Sequence, residues 1–484
     1  MDRSALPVAR YARHRPEDTL LYQLVERHWP DFLAALAVRD RHLPAFVREE
    51  FEAYLKCGRL EHGFLRVRCI TCHAERLVAF SCKRRGFCPS CGARRMVESA
   101  ALLVDEVIPR EPVRQWVLSV PFPLRFLFAA EPAAMGEALA LVWRAISAHL
   151  LKKAGLTRAT GQAGAVTLIQ RFGSALNLNI HFHILCLDGA YALGQGRPRF
   201  RRVPPPTAAE LDTLLEQITA RVGRHLERRG LLVRDLESSH LDRAPGEDAA
   251  LEHLQGHSIT YRIALGPQEG RKAFRLQTVP AREPTTKPFL ASHAGFSLHA
   301  GVAVRGDDRK TLERLCRYLT RPALAEGRLS LTPSGRVRYA LKTPYRDGTT
   351  HVVFEPLDFM ARLAALVPSP RVHLTRYHGV FAPHSRWRAQ ITPAGRGSRR
   401  AATDTRTPAE RHRAMSWAQR LKRVFKLELE TCEGCGGQVR VIACIEDPLV
   451  IARILNHLDL RAGLPGERSR PGVRGPPSAG PEFG

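Results

Sequence analysis

Cysteine spacing constrains this chain more than any other feature. Six of its eleven cysteines lie between Cys57 and Cys91, and within that run Cys69-x-x-Cys72 is followed, after fifteen intervening residues, by Cys88-x-x-Cys91. A CxxC turn presents two thiolates on one side of a tight loop, and two such turns complete the tetrahedral sulfur shell of a structural zinc. The spacing therefore predicts a small zinc-binding module over residues 51–105, with Cys69, Cys72, Cys88 and Cys91 as ligands to Zn2+. Cys57, Cys82 and His62 are close enough in sequence to replace one ligand or to complete a second ion. Four thiolates leave no open coordination position, so this zinc is structural. Clustering in a long chain argues against a secreted disulfide framework. A later pair, Cys432-x-x-Cys435, supplies half a site, with Cys444 as its nearest companion in sequence.

Charge adds a partner. The chain carries 74 Lys and Arg against 47 Asp and Glu, a formal net of +27. Such an excess is most simply explained by a polyanion, of which nucleic acid is the commonest. Lys83, Arg84, Arg85, Arg94 and Arg95 flank the second CxxC pair and suit a module that grips phosphates. No apolar run reaches the about 18 residues of a membrane span, and Met1–Arg15 lacks the apolar stretch of a signal peptide. The expectation is a cytoplasmic protein that joins the nucleoid when bound to DNA, with no membrane partner.

At about 150 residues per domain the 484 residues predict about three domains. Residues 1–50 read as an N-terminal arm with helices, where Leu20, Leu24, Val25 and His28 have helical spacing. The zinc module follows, and residues 106–390 form a mixed body. Residues 391–426 are a basic linker, residues 427–460 a small CxxC-helix module in which Asp447 and Pro448 start the helix, and residues 461–484 a Pro, Gly and Arg tail of disordered composition.

Within the body, Gln115–Phe128 has a strand pattern with Trp116, Leu118 and Val120 on one face. Pro132–Lys153 reads as a helix, and Gly164–Phe172 and Asn177–Leu187 read as strands, with Asp188-Gly189 as a hairpin turn. Thr207 and Glu210 form a capping box ahead of a further helix. Short connections between strands predict an α+β fold, an antiparallel sheet with flanking helices rather than a doubly wound parallel one. In the strand Asn177–Leu187, His181 and His183 share one face with Asn177 and Asn179, while Ile180, Phe182 and Ile184 point to the core. Two imidazoles about 7 Å apart along one strand can converge on a divalent ion, Mg2+ or Mn2+, and leave positions open for a phosphate. Gln170 and His299 are candidates for a third ligand. Leu312–Leu319 reads as an amphipathic helix ending before Thr320-Arg321-Pro322, with Tyr318 in its last turn between Arg317 and Arg321. A neutral tyrosine hydroxyl is a weak nucleophile, and neighbouring cations favour its reactive form.

In this order, these pieces resemble the rolling-circle transposases of the insertion sequence 91 type, within the HUH single-strand endonuclease superfamily, over residues 45–460. The resemblance rests on Ser81-Cys82-Lys83-Arg84-Arg85-Gly86-Phe87-Cys88-Pro89-Ser90-Cys91, on Asn179-Ile180-His181-Phe182-His183, on Leu315-Cys316-Arg317-Tyr318-Leu319-Thr320-Arg321-Pro322, on Arg376-Tyr377-His378-Gly379-Val380 and on the stretch after Cys432. It implies that an ion on His181 and His183 orients a scissile phosphate in single-stranded DNA. It also implies that Tyr318 is the catalytic nucleophile, leaving a 5′-phosphotyrosine and a free 3′-OH, and that Arg317 and Arg321 contact DNA. The superfamily's two-tyrosine branch places two tyrosines four residues apart. Here Arg314 and Pro322 occupy those positions, which predicts a one-tyrosine enzyme, with Tyr377 a second nucleophile by residue type alone. A non-catalytic zinc-dependent DNA-binding protein would explain the charge and cysteines but not His181, His183 and Tyr318 together. A metal-dependent amidohydrolase gives no reason for the charge. A rolling-circle replication initiator shares the same chemistry.

Overall fold

The computed structural model describes residues 15–194, 196–234, 239–242, 249–283, 288–395 and 431–462. Its centre is a six-stranded sheet in the order Leu290–His293, Phe296–Val304, Val113–Ser119, Leu178–Leu187, Gly164–Phe172, Thr375–Gly379. Every neighbouring pair is antiparallel. The apolar alternation decides which face each helix covers. Trp116, Leu118, Ile169, Ile180, Phe182 and Ile184 pack under the helices Phe122–Ala130, Pro132–Lys153 and Ala208–Arg228. On the other face Val166, Leu168, Leu185 and Leu187 meet Leu312, Leu315, Cys316 and Leu319 of the helix Arg309–Leu319, together with Ala100 of the helix Pro89–Leu102. The fold is α+β, a sheet between two helical layers.

Local signals account for several boundaries. Both halves of the Thr207–Glu210 capping box form, and Pro132 opens its helix at a position where a missing amide hydrogen costs nothing. The strand pattern expected over Gln115–Phe128 ends at Ser119, and the helix Phe122–Ala130 follows. Pro121 and Pro123 remove amide donors that a strand needs and a first helical turn does not. Asp188-Gly189 is not a hairpin turn. The Asp188 carboxylate takes Arg114 Nε at 3.0 Å and Nη2 at 2.8 Å, and Gly189–Ala192 leaves for a separate sheet with Gly161–Gln162 and Arg199–Arg202. A Cβ on Gly189 would lie 2.2 Å from the Arg201 carbonyl oxygen, so this glycine serves close strand approach.

The N-terminal helices Leu20–Ala37 and Ala45–Lys56 share one core with the cysteine-rich segment. Trp29 stacks on Phe51 at 4.1 Å, and Phe51 meets Phe87 at 4.7 Å. The helix Pro356–Leu366 contributes Phe359 and Leu363 to the same cluster. Beside it stands a three-stranded sheet. A hairpin, Phe64–Cys69 and Glu75–Ala79, is extended by Val439–Ile445 from the far end of the chain. The Asp447 side chain caps the closing helix Pro448–Ala462 through the amides of Leu449 and Val450, both at 2.9 Å. Most of the expected basic linker and tail falls at residues 396–430 and 463–484, outside the described residues. Among the described residues no helix is long and apolar enough to cross a membrane.

Candidate active site and cysteine centres

The histidine strand lies in the middle of the sheet, which buries its polar face. His181 pairs with Ser119 on one side and Gln170 on the other, and His183 pairs with Val117 and Leu168. Both imidazoles and Gln170 are buried, and the two rings stand 4.9 Å apart, edge to face. His181 Nδ1 is 2.9 Å from the Asn179 carbonyl oxygen. A carbonyl only accepts, so Nδ1 carries the hydrogen and Nε2 presents a lone pair. Gln115 Nε2 lies 2.9 Å from His183 Nδ1, and Gln170 Oε1 lies 3.4 Å from Nε2, so in this arrangement the Gln115 amide donates to Nδ1 and Nε2–H donates to Gln170. A flip of the Gln115 amide would turn its oxygen to an Nδ1–H and free the His183 Nε2 lone pair for a metal ion between it and Gln170 Oε1. Burial drives His181 down to about 4, with the Arg321 charge adding to the shift. His183 falls well below its ordinary value, by burial first and then by the charges of His181 and Arg321. Both rings are neutral at pH 7, the state a metal ligand needs.

Gln170 Nε2 also donates to the Leu319 carbonyl at 3.4 Å, at the end of the tyrosine helix. Of the two expected third donors, Gln170 adjoins the histidine pair. His299 shares their face but pairs with Val117, two strands from His183, about 10 Å away by strand spacing.

The tyrosine helix starts at Asp308, whose side chain accepts from Thr311 N at 3.0 Å. It buries Leu312, Leu315, Cys316 and Leu319 and leaves Tyr318 exposed. The Arg321 guanidinium lies 4.1 Å from the Tyr318 ring and 5.4 Å from the Phe172 ring, and its Nη1 donates to the Tyr318 carbonyl at 2.8 Å. Lys342 Nζ is 4.8 Å from the Tyr318 ring. Arg317 is half-buried on the same turn. Tyr377 sits on the edge strand opposite Val166, on the face of His183 but two strands away, with Arg388 over its ring at 5.7 Å.

The cysteines form two groups of four, each with all sulfurs within 4.8 Å. They divide differently from the expected quartet. Cys88 and Cys91 meet Cys57 and Cys82, with Sγ–Sγ distances of 3.8 Å for Cys57–Cys88, 3.8 Å for Cys57–Cys91 and 3.4 Å for Cys82–Cys91. Cys69 and Cys72 face Cys435 and Cys432 instead, at 3.5 and 3.4 Å. The cause is the hairpin, whose strands carry Cys69 and Cys72 to its tip. Five strand residues span about 17 Å, which separates the tip from the base where Cys57 and Cys82 lie. Zinc–sulfur bonds of about 2.3 Å put tetrahedral sulfurs about 3.8 Å apart, so the first quartet has the dimensions of a structural zinc site. Its Cys91 thiol is held far below its ordinary value by hydrogen bonds from Cys57, Cys82 and Cys88. His62 is exposed in a short turn, and Cys444 approaches Glu446 at 3.5 Å; neither joins a group.

Four of the five basic residues expected to grip phosphates also make contacts within the protein. Arg84 pairs with Glu49 at 3.2 Å and Arg94 with Glu98 at 3.1 Å. Arg95 donates to the Lys83 and Arg84 carbonyls, and Arg85 donates to the carbonyls of Val372 and Ser369 in the mixed body. Lys83 is exposed. The helix that begins at this quartet touches the end of the tyrosine helix: a Cβ on Gly92 would stand 2.7 Å from Pro322 Cβ, and Thr320 Oγ1 donates to Met96 O at 3.4 Å.

Gln115 was not marked by the sequence reading. Its signal was its alternation with Trp116, which puts it on the histidine face.

Two family models match the chain in tandem. Residues 24–120 match the "Transposase zinc-binding domain" of the IS91 type, and residues 164–389 match a family described as "Putative transposase". No curated protein and no solved structure matches the chain. The first quartet falls wholly within the zinc-domain match, and the histidine pair and Tyr318 fall within the transposase match. With a zinc-binding domain holding structural zinc followed by a DNA-binding, DNA-processing domain, the chain belongs to the IS91-type transposases.

Proposed function

We propose that this transposase cuts and rejoins single-stranded DNA with Tyr318 as nucleophile, and moves its element by a rolling-circle route. The observation that carries the reading is the seating of the tyrosine helix on the histidine face, where Gln170 reaches from His183 to the Leu319 carbonyl beside Tyr318. Two neutral imidazoles and an amide oxygen, all buried on adjoining strands, make a donor set suited to Mg2+ or Mn2+, with positions left for phosphate oxygens. Such an ion, when bound, polarises a phosphate toward attack.

The chain's own groups supply the rest. The Asn179 carbonyl holds the His181 ring at Nδ1, and the Gln115 amide holds the His183 ring at Nδ1, accepting there once its oxygen is turned to the ring. Arg321 and Lys342, against the Tyr318 ring, place positive charge where a phosphodiester must lie to meet the phenol oxygen. Arg321 also holds the backbone at Tyr318. Attack forms the bond from Tyr318 Oη to phosphorus and breaks the bond from phosphorus to the 3′ oxygen. The proton lost by the phenol is balanced by the one the 3′-OH gains. Because a phosphodiester is kept in the 5′-phosphotyrosine, rejoining needs no ATP. Tyr318 is the single nucleophile in this reading, since Tyr377 stands two strands from His183.

The test is a denaturing gel of the full-length protein with labelled single-stranded oligonucleotides that include the element ends, and Mn2+. Label retained by the wild type after boiling, and absent from Tyr318→Phe, is the expected result. Equal label on both proteins removes Tyr318 from the mechanism.

A further inference from the structure

We propose that Cys69, Cys72, Cys432 and Cys435 hold a second structural zinc, which clasps the C-terminal strand and helix onto the N-terminal hairpin. The four sulfurs lie within 4.8 Å of one another. The cross pairs, at 3.5 and 3.4 Å, are far longer than a disulfide bond of about 2.05 Å and close to the about 3.8 Å edge of a zinc–thiolate tetrahedron. Four soft thiolates in that shape suit zinc, as in other four-cysteine structural sites, and leave no position for substrate.

The backbone around the group is built for it. On the hairpin side, the Thr71 amide donates to Cys69 Sγ at 3.4 Å. On the other side, Cys432 N donates to Gly437 O at 2.7 Å and Gly436 N to Cys432 O at 2.8 Å, closing a tight knuckle. Ile70 N donates to Gln438 O at 2.9 Å and ties the two knuckles together. Gly436 adopts a φ of 72°, a left-handed conformation that glycine takes without strain. A Cβ on Gly437 would fall 2.3 Å from Thr71 Oγ1 and 3.0 Å from Cys69 Sγ, so a side chain there would push the two halves apart.

Packing alone holds the C-terminal piece weakly. Its strand pairs with the hairpin from Phe64–Ile445 to Cys69–Val439, yet Val441, Ile442, Leu449 and Val450 are exposed and Ile451 is its one buried apolar residue among those described. A module with so little core depends on a metal or another staple. The cysteines it would join, Cys72 and Cys432, are 360 residues apart in sequence. The zinc-binding domain of this chain would then be composite, completed by residues beyond both family matches.

Elemental analysis of the purified full-length protein should find two zinc ions per chain, and the Cys432→Ser/Cys435→Ser double variant one. One ion in the wild type, or two in the variant, overturns the proposal. Alkylation of the wild type followed by mass spectrometry gives a reading that needs no variant. Cys432 and Cys435 should resist iodoacetamide until a chelator is added, while Cys444, exposed on the strand that follows them, reacts without it. Equal reactivity of all three without chelator also overturns it.

Discussion

Gln115→Leu separates a metal-orienting role from a packing role at the histidine pair. The Gln115 amide lies 2.9 Å from His183 Nδ1, and both residues are buried. With an ion on His183 Nε2, Nδ1 must carry the hydrogen, and leucine would leave that donor facing hydrocarbon. An unpaired buried donor costs about 1–3 kcal/mol. Loss of the group that orients a ligating imidazole typically lowers metal affinity about 10–100-fold, or about 1.4–2.7 kcal/mol, so the two routes agree. Without metal, His183 can shift its hydrogen to Nε2 and donate to Gln170 Oε1, 3.4 Å away. The penalty therefore falls on the metal-bound form, and the variant should fold. In a Mn2+ titration of covalent adduct formation, the midpoint should move about 10–100-fold higher, with full yield recovered at saturating Mn2+. Gln115→Glu, whose carboxylate accepts from Nδ1–H, should bind Mn2+ at least as well as the wild type. An unmoved midpoint in Gln115→Leu, or equal weakening by Leu and Glu, refutes the reasoning.

Asp188→Ala should strand the buried Arg114 guanidinium, which keeps its contact with Ala300 O at 2.9 Å but loses both carboxylate bonds. A cost of about 3–5 kcal/mol, or about 6–20 °C in the calorimetric midpoint of the transposase domain, is expected, and a shift below about 3 °C would contradict it. Burial raises the Glu50 carboxyl above its ordinary value, against the hydrogen bond from the Gly86 amide at 2.7 Å. The folded state then holds a proton that the unfolded state releases first, so this contribution is complete below the ordinary carboxylate value and is lost as pH rises through the raised one. Glu50→Gln, which keeps an acceptor for Gly86, should gain stability relative to the wild type as pH rises. A gap that stays constant in denaturant melts would speak against the buried charge. DNA affinity should fall steeply with added salt as phosphate counterions are displaced, and a flat response would remove the electrostatic account of the +27 charge.

Both faces of the sheet are buried, and its strands were legible because the histidine strand carries polar side chains on one face and apolar ones on the other, which leaves a period of two. Ile180, Phe182 and Ile184 marked the core side, so His181 and His183 had to share the other. The tyrosine helix was legible from its apolar spacing, its proline stop and Tyr318 in its last turn. Two boundaries failed for a common reason: a local signal has more than one use. Pro121 and Pro123 end a strand, but proline also begins a helix. Asp-Gly favours a turn, but Asp188 is occupied by a buried arginine, and Gly189 allows a second sheet to begin. Gln115 needed information that periodicity does not carry. Alternation gives the face of a side chain, whereas its place beside His183 depends on which strand is neighbour and in what register.

The cysteines show the same limit more sharply. A CxxC spacing states that two thiolates share a turn; it does not state which other turn they meet. The two pairs nearest in sequence end up in different groups, because the pairing of Phe64–Ala79 sends one to a hairpin tip and leaves the other near its base. At the base, Cys57 and Cys82 come together across the hairpin, with the Cys82 amide donating to Cys57 Sγ at 3.2 Å. Each end of the hairpin then has two thiolates that lack partners within the hairpin itself. The base finds them a few residues on, at the helix that starts with Cys88 and Cys91. The tip projects away from that helix and must recruit partners from elsewhere, and the chain brings them back as Cys432 and Cys435 in the knuckle just before a strand laid along the hairpin edge. A sequence with six clustered cysteines and one distant CxxC pair therefore implies two half-sites in need of completion, and strand pairing decides which half takes the distant pair.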